Sequence, residues 1–267
     1  MAHDGGQRRI PLAAERALTV YVDRHEVVTL MTLGQEPELL ALGYLLNQQL
    51  ASDAREIESV TVDWDVGAAA VRTAHGVSGL ADRLARRTVT TGCGQGTVFG
   101  DWLQQVAPLP PVAAAGAGAD ERVPHEALVH LLETMRGLPS VHREAGSVHG
   151  TALWRAASGA QAPAMLVHIE DVGRHNAVDT VAGWMAMNAV GGAGCWLYTT
   201  GRLTSEMVLK AAHLRIPVVV SRNGATAMGQ ALAERLNLTL IGRANGQRYL
   251  CYSGAGRLAG APAVQAL

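Results

Sequence analysis

Cysteine and aromatic residues are scarce in this chain, which has three cysteines and a single phenylalanine among 267 residues. The cysteines, Cys93, Cys195 and Cys251, are odd in number and far apart. This excludes a disulfide framework and the paired C-x₂-C spacing of zinc knuckles. The sequence also lacks H-E-x-x-H and the H-x-E and P-C-x-x-C signature, so it indicates no catalytic zinc site. Any cysteine chemistry must therefore use single thiols.

Two further absences restrict the partners and the location. The formal net charge is -1, so there is no excess of positive charge to hold nucleic acid by counterion release. No apolar stretch reaches the roughly 18 residues of a membrane-spanning helix, and the N-terminal segment lacks the apolar core of about 7 to 15 residues that a secretory signal needs. We therefore expect a soluble cytoplasmic protein that binds neither nucleic acid nor a membrane.

The composition divides the chain into three segments. Residues 1–107 alternate short β-branched runs with turns around one helix, which we expect to begin at Pro37. This pattern predicts a small α+β domain that carries the loop around Cys93. Residues 108–121 are rich in proline, alanine and glycine, which is typical of a linker. Residues 122–267 form the predicted second domain.

The second domain shows the regular alternation of an α/β fold. After a helical face over 124–136 and a loop through Gly150, strand runs at 164–169, 195–200, 217–221 and 238–242 alternate with helical stretches. This predicts a mixed, mostly parallel sheet with right-handed crossovers and with helices on both faces. A final run, Tyr249 to Ser253, predicts an added edge strand.

Polar residues concentrate in the loop 170–176, which follows the first of these strands. Ligands of open α/β sheets bind beyond the carboxyl ends of the strands, where helix N-termini offer free amides. One interpretation is a solvated loop in which Asp171 or Asn176 caps the next helix. The other is a recognition loop, in which Arg174 binds phosphate and a carboxylate accepts hydrogen bonds from a guanine edge.

Two later loops have a similar composition. The loop 199–205 places Gly201 and Arg202 before a helix, where phosphate binding and helix capping are both open interpretations. The loop 221–224 repeats the arrangement with a second arginine. His149 is a candidate acid-base group in a flexible loop, whereas His168 and Asp179 are expected to be structural.

Cys93 lies in an unusual environment for a cysteine, since three glycines occur within five residues around it. A cysteine is most often a small buried hydrophobic residue. A thiol flanked by glycines is instead expected to be exposed and open to attack by another protein's sulfur, as thiol exchange requires. Cys195 and Cys251 lie in strand-like runs and are expected to be buried.

The string Glu170 to Asp179, EDVGRHNAVD, is followed by Gly201-Arg202, by Ser205 to Val208 and by Lys210 to Ala212. Together these segments resemble the FdhD/NarQ family of formate dehydrogenase accessory proteins. The resemblance implies a homodimer with a three-layer α/β/α cytidine-deaminase-like domain that lacks the deaminase zinc. It also implies that sulfur is accepted as a persulfide from a cysteine desulfurase. The sulfur then passes to bis-molybdopterin guanine dinucleotide, the molybdenum cofactor that formate dehydrogenase requires.

The resemblance also implies the site residues. Cys93 matches the first cysteine of the family's C-G-x-C-G loop and is the expected catalytic persulfide carrier, a sulfurtransferase role. Gly96 replaces the usual second cysteine, which excludes a second resolving thiol in this loop. The protein is expected to hold no metal of its own. The cofactor, bound as substrate and mimicked by a guanine nucleotide, is expected to contact Glu170, Asp171, Gly173, Arg174, His175, Asn176, Gly201, Arg202, Tyr249, Leu250, Cys251, Tyr252, Ser253 and Gly254.

Three alternatives remain open. A non-catalytic chaperone would bind the molybdenum cofactor without moving sulfur, and Gly96 favours this reading. A nucleotide or base deaminase is suggested by the implied fold and opposed by the missing zinc ligands. A purely structural dimer module predicts no binding of guanine nucleotide.

Overall fold

The computed structural model describes residues 9, 11–77, 80, 88–89, 96–97, 107–108, 122–156 and 161–259. Cys93 and most of the predicted linker lie outside the described residues. The predicted domain boundaries therefore stay a prediction. None of the helices within the described ranges has the length and apolar content that crossing a bilayer requires.

A four-stranded sheet forms the N-terminal part, in the order β2-β1-β4-β3. Its strands are β1 (Arg16–Val22), β2 (His25–Thr32), β3 (Ile57–Asp63) and β4 (Ala68–Thr73). Alternate residues of β1 are fully buried, as the two-residue period of a strand requires when one face meets a core. That core is shared with helix α1 (Pro37–Asn47), which begins at Pro37 as predicted.

A six-stranded mixed sheet forms the second part, in the order β13-β12-β11-β10-β8-β9. The four predicted strand runs and the added edge strand are confirmed. The strands are β8 (His149–Arg155), β9 (Ala164–Asp171), β10 (Cys195–Thr199), β11 (Val218–Ser221), β12 (Thr239–Asn245) and β13 (Arg248–Ser253). Short pairs join β5 (Thr88–Val89) to β6 (Gly96–Thr97) and β7 (Val123–Pro124) to β14 (Leu258–Ala259).

The predicted loop through Gly150 is wrong in two places. Helix α3 (Val141–Ala145) interrupts it, and β8 begins at His149. Strand β8 lies between β9 and β10 and is antiparallel to both. Among the described strands of this sheet, only β10 with β11 and β11 with β12 pair in parallel. The predicted mostly parallel sheet is therefore wrong, because β8 and β13 pair antiparallel with their neighbours. Because five consecutive residues of β8 are buried, its sequence lacks the alternation that identifies a half-buried strand.

Helices cover the large sheet unequally. The crossover helices α4 (Arg174–Met187), α5 (Ser205–His213) and α6 (Ala227–Arg235) share one hydrophobic core on the same face. They do so because the chain moves through the sheet in a single direction, and right-handed crossovers then fall on one side. Helix α2 (His125–Gly137), which precedes the sheet, packs on the opposite face. The cytidine-deaminase-like arrangement stays a prediction.

Helices α1 and α4 cross closely and join the two parts of the chain. A Cβ atom on Gly43 would lie 1.7 Å from the carbonyl oxygen of Asp179, and one on Gly183 would lie 2.0 Å from that of Leu39. Real Cβ atoms do not approach other atoms this closely, so the contact requires glycine at both positions. The crossing fixes the N-terminal sheet against the helix that begins with Arg174.

Candidate functional site

Asp171 ends β9 and connects the N-terminal sheet to the loop that follows. It accepts hydrogen bonds from the Thr32 hydroxyl and from the Leu33 N–H, the latter at 3.0 Å. It also accepts from the N–H of Gly173 and from Nδ2 of Asn176, both at 2.8 Å. Burial raises the pKa of Asp171, and these hydrogen bonds oppose that rise. The carboxylate therefore holds the loop in place.

Glu170 and Asn176 make similar contacts with the protein. The two carboxylate oxygens of Glu170 each accept a backbone N–H at 2.7 Å, from Val141 and from His142 at the start of α3. A negative charge is favourable at the start of a helix. Nδ2 of Asn176 also donates to the Met31 carbonyl at 2.8 Å. Glu170 and Asn176, both predicted to bind the ligand, thus hold the loop in its conformation. Arg174 is the buried cation of the same loop.

Arg174 is the first residue of α4 and is only 7% exposed. None of the described residues provides a hydrogen-bond partner for its Nε atom. A Cβ atom on Gly201 would come within 2.9 Å of Cβ and 3.0 Å of Cδ of Arg174, so glycine makes room for the arginine. An unpaired buried N–H costs free energy, and an anion would satisfy it with a charge-assisted hydrogen bond.

Further positive and polar groups lie at the same edge of the sheet as Arg174. Arg202 is exposed in the loop before α5, and His149 is half-buried at the start of β8. Burial lowers the pKa of His149, and the charges of Arg174, His142 and Arg202 lower it further. At the start of α5, the hydroxyl of Thr204 is buried and has no hydrogen-bond partner in the described part of the chain. The arrangement suits an anionic ligand.

A buried ionic network lies next to Arg174 and includes His175, the residue that follows it on α4. Both carboxylate oxygens of Asp179 are 2.8 Å from Nζ of Lys210, and Nδ2 of Asn47 donates to Oδ1 of Asp179 at 2.7 Å. Nζ of Lys210 is also 3.9 Å from Glu206, whose other oxygen lies 3.2 Å from Nε2 of His175. All five side chains are buried. The network joins α1, α4 and α5, and Asp179 is structural as expected.

Two pKa shifts describe the charge state of the network. Burial, followed by the charge of Lys210, holds the pKa of His175 well below its usual value, so the imidazole is neutral. Burial raises the pKa of Asp179 to about 6, and Lys210 opposes the rise. His175, predicted as a ligand contact, is thus a neutral and buried residue that directly follows Arg174 on α4.

The loops after β10 and β11 are joined by hydrogen bonds. The Ser221 hydroxyl donates to the carbonyl oxygen of Gly201, and Nδ2 of Asn223 donates to that of Thr200, both at 2.6 Å. Arg222 is exposed in the second of these loops. The structure therefore brings together the three loops that the sequence singled out, with Gly173, Gly201 and their arginines at one edge of the sheet.

The side chains at the end of β13 and the residue after it lie at opposite ends of the large sheet. The hydroxyl oxygen of Tyr252 would lie 3.4 Å from a Cβ atom on Gly224, close to the loop after β11. In contrast, the Ser253 hydroxyl donates to the Leu238 carbonyl at 2.8 Å, and the Gly254 carbonyl accepts from Thr239 at 3.0 Å. Ser253 and Gly254 thus lie at the amino end of β12, away from Arg174.

The other residues of β13 have separate environments. Tyr249 forms a hydrogen bond of 3.1 Å with Nδ1 of His125 on the side of α2, and Leu250 is exposed. Cys251, expected to be buried, is only half-buried because β13 is an edge strand, and this partial burial raises its pKa. Cys195 is buried as expected, and burial raises its pKa too. His168, expected in the core, is half-buried on the edge strand β9. Neither described cysteine has the features of a reactive thiolate.

Comparisons with known proteins agree with one another. The model of the FdhD/NarQ family matches residues 13–259. A sulfur carrier protein FdhD from Bacillus subtilis is 28% identical over 231 residues, which cover 86% of this chain and 84% of that protein. One from Listeria monocytogenes is 28% identical over 247 residues, which cover 92% and 91%. A crystal structure described as a formate dehydrogenase accessory protein from Desulfotalea psychrophila has a TM-score of 0.72 at 25% identity and covers 93% of this chain and 91% of its own.

Proposed function

Because the chain belongs to the FdhD/NarQ family, we propose that it accepts persulfide sulfur on Cys93 from a cysteine desulfurase. It then transfers this sulfur to the molybdenum of bis-molybdopterin guanine dinucleotide for formate dehydrogenase. The name sulfur carrier protein, which the curated relatives share, supports the carrier role. Under this proposal the protein acts in the cytoplasm as a homodimer, its second domain has the cytidine-deaminase-like fold, and its partners are the desulfurase and formate dehydrogenase.

The observation that carries the ligand part of the proposal is the buried Nε of Arg174, which has no hydrogen-bond partner among the residues that the structure describes. This buried cation lies at the start of α4, next to the loop that bears Arg202 and precedes α5. Two helix starts and two arginines favour the phosphates of a dinucleotide over a neutral ligand. The guanine dinucleotide is therefore a substrate whose phosphates fit the residues present.

The sulfur chemistry requires a single thiol. The thiolate of Cys93 attacks the outer sulfur of the donor persulfide, a new S–S bond forms on Cys93, and the donor leaves as a thiolate. Gly96 removes the usual second cysteine but no atom that this step needs. The loop then presents the sulfur to the substrate held near Arg174.

Mass spectrometry tests the carrier step. After incubation of the full chain with a cysteine desulfurase and cysteine, we expect a mass increment of one sulfur atom on the peptide that contains Cys93. The increment is expected to disappear in Cys93→Ala and to persist in Cys195→Ala, which removes a buried thiol. An increment confined to Cys195 or Cys251, or none at all, would show that Cys93 is not the carrier.

Calorimetry with GDP tests the ligand site. Because a hydrogen bond to a charged group contributes about 1.5–3 kcal/mol, Arg174→Gln is expected to weaken GDP binding roughly 10- to 100-fold. Arg155→Gln is the matched control, since Arg155 is exposed at the opposite end of the large sheet. Equal affinities of the two variants for GDP would show that Arg174 does not bind this ligand.

The alternative of a non-catalytic chaperone rests on Gly96. In that case the site would bind the dinucleotide as described, but no sulfur would move through Cys93. GDP binding is common to both functions, so it does not distinguish them. The persulfide increment and the cellular activity of Cys93→Ala do.

A further inference from the structure

His149 carries a buried ring nitrogen that the sulfur carrier mechanism does not use. It is the first residue of β8, and its side chain is half-buried. Among the described residues, none is a hydrogen-bond partner of its Nδ1 atom, which has essentially no contact with solvent. A buried nitrogen without a partner costs free energy, so its presence at this position requires an explanation.

The side chain of His149 is on the face of the sheet that α4 covers. Leu153, four residues further along β8, belongs to the core that the crossover helices share. Residues of a strand separated by an even number point to the same face, so His149 points toward α4 as well. Across the strand pair it is opposite Asp171, directly before the loop that ends at Arg174. Geometry thus places it beside Arg174.

Charged and titratable side chains of α3, α4, β9 and the loop before α5 lie near His149. Helix α4 contributes Arg174 and the neutral His175, the loop before α5 contributes Arg202, and α3 contributes His142. The two carboxylates at the end of β9, those of Asp171 and Glu170, already accept hydrogen bonds from backbone N–H groups. Burial and its cationic neighbours therefore keep the imidazole neutral in the free protein.

We propose that His149 is a third anion-binding side chain of this site and binds phosphate as an imidazolium that takes its proton from solvent. The proposal deepens the proposed function and rests on it. When a phosphate binds between Arg174, Arg202 and His149, its negative charge offsets the positive charge of the two arginines. The proton goes from water or buffer to the imidazole, and no other bond changes.

This coupling gives the affinity a definite pH dependence. The bound state holds the proton more tightly than the free state, so the affinity is highest at low pH and falls as the pH rises through the pKa of the bound imidazole. The steepest possible change is about tenfold per pH unit, which corresponds to one proton taken up per phosphate ligand. A protein with arginines alone would show no such change above the second pKa of the ligand, about 6 for a phosphate.

Calorimetry with GDP on the full chain measures the proton uptake directly. Titrations at one pH between 7 and 8, in two buffers with different ionisation enthalpies, give the number of protons taken up. We expect uptake by the unchanged protein and its loss in His149→Gln. His168→Gln is the matched control, because His168 is a half-buried histidine of the neighbouring strand on the opposite face, and it should keep the uptake. Protons that the GDP phosphate itself takes up or releases contribute equally to each protein, so they cancel when proton uptake is compared between the unchanged chain and its variants.

A second variant distinguishes the loss of the imidazolium charge from misfolding of His149→Gln. His149→Lys supplies a permanent positive charge, so it should bind GDP more tightly than His149→Gln and without proton uptake. Uptake that is unchanged in His149→Gln, together with GDP binding that Arg174→Gln weakens, overturns this inference alone. Failure of the unchanged protein to bind GDP overturns the ligand part of the proposed function, and this inference with it.

Discussion

Replacing Cys93 with alanine is expected to abolish the ability of this protein to restore formate dehydrogenase activity in cells that lack their own copy. The proposed mechanism has one thiol to accept sulfur, since Gly96 occupies the position of the usual second cysteine. Alanine carries no sulfur, so no residual transfer through this loop remains. The measurement is formate dehydrogenase activity at equal amounts of the accessory protein.

Two controls make the loss specific to sulfur transfer. Cys195→Ala removes a buried thiol from the large sheet and should restore activity like the unchanged chain. GDP binding by Cys93→Ala should also be unchanged, because Arg174 and Arg202 are retained. Normal restoration by Cys93→Ala would refute transfer through this residue and leave the chaperone function in its place.

Replacing Lys210 with methionine is expected to lower the free energy of unfolding by about 3–5 kcal/mol, the usual cost of removing one partner of a buried ion pair. Lys210 is the only lysine in the chain, and it is fully buried with both oxygens of Asp179 at 2.8 Å. Methionine fills a similar volume but leaves the carboxylate with the Asn47 amide as its polar side-chain contact among the described residues. Urea denaturation at pH 8 measures the change.

The pH dependence of this loss has a fixed sign. Burial already raises the pKa of Asp179 to about 6 with Lys210 present, and removing the lysine raises it further. A raised pKa in the folded state favours folding at low pH, where Asp179 is protonated, so the variant should lose less stability at pH 5 than at pH 8. Adding Asp179→Asn should recover part of the loss at pH 8. Strictly additive effects of the two substitutions would contradict the ion pair.

Several parts of the fold and the site could be predicted because local sequence controls them. Pro37 favours the first helical turn and begins α1, and the apolar runs that become β9 to β12 are bounded by polar loops. The loops around Arg174 and Arg202 stand out in the sequence because each contains more polar residues than a turn requires. The buried network around Lys210 and the hydroxyl of Thr204 were missed, since each looks like an ordinary position on a helix.

The sequence by itself determined the family, the alternation of strands and helices and the loops that meet at the sheet edge, because these depend on residues a few positions apart. Tertiary structure alone decided that β8 enters the sheet beside β10, and that Ser253 lies at the far end. It also decided that Asp171 bonds to Thr32, which is 139 positions away. Such contacts arise where the chain folds back on itself, and no local pattern encodes the partner. The buried position of Arg174, whose Nε has no hydrogen-bond partner among the described residues, is the result of that packing.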